Sequence, residues 1–172
     1  MNNYFRMSAI AIVLSLGSQV AVAAQDADDF VKDASAKGIA EVQLGKLALD
    51  EKDISPAVKE FAEQMVKDHT AANEKLATIA KDKKLEVSDD PMLMDKAKAL
   101  ILEMRKKSFD QAYANNQVVA HEETIKLFEE EANNGKDPEL MAFAKATLPT
   151  LKDHLTHAKK LAAEHGGDAA KK

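Results

Sequence analysis

Apolar residues recur along most of this chain at alternating spacings of three and four. One set reads Val58, Ala62, Met65, His69, Ala72, Leu76, Ile79. A second reads Ala114, Val118, His121, Ile125, Phe128, Ala132, and a third Leu140, Ala144, Thr147, Leu151, His154, Ala158, Leu161. That period places each set on one face of an α-helix, the stripe that a helix bundle buries. A looser stripe comes first: Phe30, Ala34, Glu41, Leu44, Ala48. No stretch alternates with period two, so no strand is expected.

Start and stop signals bound these stripes. Ser55-Pro56, Asp90-Pro91 and Asp137-Pro138 each set a capping side chain before a proline at the first helical position, where the missing N–H costs nothing. Ser108 with Gln111 fits a capping box. Asn133-Asn134-Gly135 and Gly166-Gly167 supply glycines suited to a left-handed C-terminal cap. The predicted helices are residues 28–51, 56–83, a short one at 91–106, 109–133 and 138–165. The fold class is all-α: a four-helix bundle with an additional short helix in the connection between its second and third long helices. Short loops make the first pair and the last pair antiparallel. Whether the middle connection runs the length of the bundle is left open. Pro149 falls inside the last helix, where it deletes the hydrogen bond to the Lys145 carbonyl and predicts a kink.

Each stripe is interrupted by a polar residue near the midpoint of its helix: Glu41, His69, His121 and His154. With a rise of about 1.5 Å per residue, midpoint positions agree in height to within about one turn whichever way the helices run. One glutamate and three histidines therefore converge on a single layer. Left unpaired, they would carry a large desolvation cost. Three readings follow. Imidazoles and a carboxylate form a ligand set for one divalent transition ion such as Zn²⁺, Mn²⁺, Fe²⁺ or Cu²⁺, with Asp68 and Tyr113 as supporting partners behind the ligands. Alternatively, the layer is a metal-free hydrogen-bonded network that fixes helix register. In the third reading some of these side chains point sideways and the convergence is accidental. His157 and His165 lie outside the layer and read as surface or helix-end residues. Met65 reads as core.

The first residues read differently. Arg6, an apolar run from Ala9 to Leu16 and the small residues Ala21-Val22-Ala23 make a secretory leader, with cleavage expected after Ala23. The run is too short to span a bilayer. The expected organisation is a signal peptide at 1–23, a bundle domain at 24–165 and a disordered tail at 166–172. The expected location is the periplasm or cell envelope. With no cysteine, disulfides and thiolate metal sites are excluded. A net charge of −5 disfavours nucleic acid and anionic lipid as partners. There is no Gly-x-Ser-x-Gly and no phosphate-binding glycine loop, so a binding module is a better reading than an enzyme.

Four segments carry a resemblance: Glu41-Val42-Gln43-Leu44-Gly45-Lys46-Leu47-Ala48; Phe61-Ala62 through Met65-Val66 to Asp68-His69; Phe109-Asp110, Tyr113 and Gln117-Val118 to His121; and Leu148-Pro149, Leu151, His154-Leu155, Ala158. Together they resemble the exported bacterial family called domain of unknown function 4142. The resemblance implies a ferritin-like four-helix bundle. For some members it implies an outer-membrane label, which in a chain without a spanning segment would mean peripheral association with the envelope. It implies no activity. The Glu-x-x-His pairs of di-iron bundles are missing, because Val66, Val118 and Leu151 stand three residues before the histidines. The functional alternatives are a metal-binding module, a structural or interaction protein of the envelope, and a mononuclear metalloenzyme. The last needs a solvent path to the layer.

Overall fold

The computed structural model describes residues 26–89, 92–105 and 108–168. The expected leader, the expected cleavage position Ala23, the expected cap at Asp90-Pro91 and residues 169–172 lie outside them. Five helices follow in order: α1 Ala27–Leu49, α2 Pro56–Lys83, α3 Met92–Met104, α4 Phe109–Asn134 and α5 Pro138–Glu164. No strand occurs among the described residues, and no helix there is long and apolar enough to cross a membrane. The protein is an all-helical bundle.

The caps explain the starts. Ser55 Oγ accepts from the Val58 N–H at the head of α2, and Asp137 Oδ1 accepts from Glu139 and Leu140 at the head of α5. The expected capping box at Ser108 does not form. Gln111 instead donates to the Gly166 carbonyl at 2.6 Å, tying the start of α4 to the end of α5. Gly135 is not left-handed either, with φ −59° and ψ 152°. The next helix begins three residues on, so the chain leaves α4 extended. Gly135 is needed for space, because a Cβ there would strike the side chain and carbonyl of Glu131. The left-handed caps are Lys84, with φ 59°, and Gly166, with φ 73°. Gly167 is buried and donates to the Ala162 carbonyl.

The apolar core divides in two. One cluster gathers Phe30 and Ala34 of α1, Leu76 and Ile79 of α2, Phe128 of α4 and Leu140 and Phe143 of α5. The other gathers Leu44 and Ala48, Val58 and Met65, Tyr113 and Val118, and Ala158 and Leu161. Each long helix thus gives one half to each cluster. The starts of α1 and α5 share an end with the finishes of α2 and α4. Helices α2 and α4 therefore run parallel, and the connection between them travels the length of the bundle. At one end the Ser88 N–H donates to Ser35 Oγ; at the other Arg105 pairs with Glu51. Between these points α3 packs on α1 and α4, adding Ile101 and Met104 to the second cluster.

Helix α1 lies unusually close to α2. A Cβ at Gly45 would sit 2.8 Å from Val66 Cγ2 and 3.1 Å from the Ala62 carbonyl oxygen, and one at Gly38 would meet the Asn73 side chain. These glycines, two turns apart, explain why the apolar stripe of α1 looks weak: part of its contact is backbone. Helix α5 continues through Pro149 without interruption.

Candidate metal centre

Between the two clusters sits a polar layer. His69 of α2, His121 of α4 and His154 of α5 are buried. Their ring centroids are 5.4–5.6 Å apart in all three pairings. One nitrogen from each ring lies within 4.8 Å of one nitrogen of each of the others. Each histidine occupies the stripe position expected of it, so helix periodicity alone aims it inward.

Hydrogen bonds orient two of the rings. His121 Nδ1 donates to the Gln117 carbonyl one turn earlier, at 2.9 Å. A carbonyl can only accept, so the proton is assigned to Nδ1 and Nε2 is left bare. His154 Nε2 donates to Asp68 Oδ2 at 3.0 Å, which leaves Nδ1 bare. The buried nitrogens without a partner are His69 Nε2, His121 Nε2 and His154 Nδ1. A buried acceptor with no donor costs about 1–3 kcal/mol. Two such acceptors, His121 Nε2 and His154 Nδ1, are joined by the unpartnered His69 Nε2, one ring from each of three helices.

Protonation is disfavoured at two of these rings. Burial, then the charges of His121 and His154, drive His69 down to about 3. Burial also lowers His154, outweighing the opposite pull of Asp68. At neutral pH both rings keep their lone pairs free.

Glu41 is buried too, but it is not one of the converging donors. Its Oε2 accepts from Gln117 Nε2 at 2.7 Å. Gln117 therefore bridges Glu41 and His121, through its amide on one side and its backbone carbonyl on the other. Burial pushes the Glu41 carboxyl up, against the pull of His121 and of the Gln117 hydrogen bond. Gln117 was not among the predicted site residues. The signal was its place four residues before His121, which puts both on one helix face. Tyr113 stacks on Phe109 at 5.9 Å and meets Phe61 edge-on, and its hydroxyl has no partner. Burial and the Glu41 charge raise that phenol well above its ordinary range. Asp68 stands directly behind His154.

The outlying residues behave as bystanders. His157 is exposed, His165 lies 3.4 Å from Ser55 Oγ at the bundle end, and Met65 is core.

Three imidazoles with a carboxylate or carbonyl behind two of them resemble the outer-partner pattern that fixes metal-binding histidines. For three donors about 2.0–2.1 Å from one ion in a tetrahedral shell, neighbouring nitrogens would be about 3.3 Å apart. The nitrogens here lie within 4.8 Å of one another, so the rings would have to rotate inward to close any remaining gap on binding an ion.

No curated protein and no solved structure matches the chain. A family model does, over residues 15–161, a span that takes in all four stripes and the whole layer. The chain belongs to the family described as Domain of unknown function (DUF4142).

Proposed function

We propose that this protein is an exported, ferritin-like bundle that binds one divalent transition metal ion through His69, His121 and His154. The observation that carries this reading is that three buried histidines each bring a ring nitrogen within 4.8 Å of the others, and that each has a buried ring nitrogen without a partner. A cation is the one ligand that satisfies all three lone pairs at once. Asp68 and Gln117 hold two of the rings in the required tautomer. Glu41 lies beside the ligands and modulates them through Gln117. The ferritin-like reading draws support from the lengthwise connection between parallel α2 and α4. Export rests on the leader at 1–23, and the binding role is read as storage, sensing or envelope protection rather than catalysis.

The test is equilibrium dialysis of the full chain against Zn²⁺, Mn²⁺, Fe²⁺, Cu²⁺ and Ni²⁺, beside a His69→Ala/His121→Ala variant. One ion per chain, lost in the variant, is the expected result. No retained ion would leave the layer as a device for helix register. That second reading, an interaction protein of the envelope, draws on the exposed Leu102 of α3 and Val119 of α4.

A further inference from the structure

A groove of ≈320 Å³ opens between α2 and α5. Its walls include Asp68, His69, Lys75, Thr147, Thr150 and His154. Two of the three histidines therefore face it, although each is almost wholly buried as a residue. A water molecule occupies roughly 30 Å³ in the liquid, so the groove holds several waters or a small molecule. A second groove, of ≈230 Å³ between α1, α3 and α4, reaches Glu41 but none of the histidines. A small cavity of ≈20 Å³ also touches His69, but the α2–α5 groove is the larger of the two and reaches both His69 and His154.

Coordination chemistry gives that access a use. Three histidines supply three donors, and Glu41 is held away by Gln117. A four-coordinate ion would retain one position for an outside ligand, the arrangement that separates reactive sites from closed structural ones. Imidazoles bring no charge, so a divalent ion there would keep its full positive charge and favour an anion. On the groove wall Asp68 already receives the His154 N–H. Lys75 is exposed, sits 6.0 Å over the Phe143 ring and makes no ion pair among the described residues.

We propose that the α2–α5 groove is the entry port of the centre, through which a small monovalent anion reaches the coordination position left free by the three histidines, drawn in by Lys75. This rests on the metal-binding reading above. The consequence is a centre that exchanges ligands with its surroundings, which a purely structural ion would not do.

The full chain loaded with Co²⁺, whose visible spectrum reports coordination, can be titrated with azide. Azide should perturb the spectrum saturably. Ala72→Leu, which adds bulk on the groove wall, should keep one Co²⁺ per chain and weaken azide binding about tenfold or more. Lys75→Gln, an exposed change that leaves the fold intact, should weaken it about two- to fivefold at low salt, with the difference fading as salt rises. Cobalt binding with no azide response would overturn the port and leave the metal site standing. Equal azide affinity in all three proteins would overturn this route. Failure of the wild type to hold Co²⁺ would overturn both readings.

Discussion

Two of the places where this bundle buries polar atoms without hydrogen-bond partners resolve the cost in different ways. At mid-height the rings of His69, His121 and His154 converge, and each has a buried nitrogen without a partner. Near the end of α4, Glu131 is equally buried, with both carboxylate oxygens unpartnered. Burial, then the nearby Asp137, raises Glu131 to about 6, while burial drives His69 down to about 3. Both shifts favour the uncharged form. A lone carboxyl can satisfy itself by taking a proton. Asp137 offers it no help, being held by Lys83 and by the first N–H groups of α5. A buried histidine cannot follow that course without placing a charge in the core. Three lone pairs together can share a cation instead. Convergence, more than burial, separates a candidate site from an isolated burden.

The largest test of this contrast is metal-dependent stability. With ion at a hundredfold excess over Kd, the folded state should gain about 2.7 kcal/mol. In a domain of this size that is roughly 5–10 °C in Tm. Thermal unfolding followed by circular dichroism should show the rise in wild type and in Glu131→Gln, and lose it in His121→Ala. A rise that survives His121→Ala would place the ion elsewhere.

Asp68→Asn comes next. Removing a partner behind a metal-binding histidine typically costs about 10–100-fold in affinity. Titration by competition with a chelator should show that loss with little change in metal-free stability. Unchanged affinity would mean that Asp68 does not orient His154.

Smaller still is the pH dependence, in which the two places pull in opposite directions. Glu131 has its folded pKa raised from 4.5 to about 6. Its contribution is fully present below about 4.5 and is lost as pH rises through about 6. Glu131→Gln should therefore stabilise the protein above pH 6, by on the order of 1 kcal/mol, and give no gain at pH 4. His69 has its folded pKa lowered from 6.5 to about 3. Its contribution is present above 6.5 and is lost as pH falls toward 3. Urea midpoints of the metal-free protein from pH 4 to 8 separate the two slopes. A Glu131→Gln gain that is constant with pH would show that the carboxyl does not titrate abnormally.

The smallest expected effect is that of Pro149→Ala. The substitution restores the N–H that can reach the Lys145 carbonyl, five residues before His154. If the proline helps aim that ring, metal affinity should fall by less than about tenfold while Tm holds or rises slightly. An unchanged affinity would remove Pro149 from the account of the site.

Much of this molecule is written in local pattern. The four stripes fixed which faces turn inward, and the Ser55-Pro56 and Asp137-Pro138 caps fixed where α2 and α5 begin, because period and capping chemistry act within a few residues of each other. The same periodicity set three histidines at one height. It could not say that Glu41 would be diverted to Gln117, since that choice depends on how α1 lies against α4. Nor could it settle Gln111, which left its expected cap for the Gly166 carbonyl at the far end of the chain. The direction of the connection between α2 and α4, the tautomers imposed by Asp68 and the Gln117 carbonyl, and the groove beside His69 and His154 all arise from contacts between residues distant in sequence. The sequence by itself determined helices, inward faces and levels, which follow from backbone geometry. Tertiary structure alone decided which lone pairs would be left bare and facing one another, because that depends on which neighbours the packed helices bring within hydrogen-bond reach.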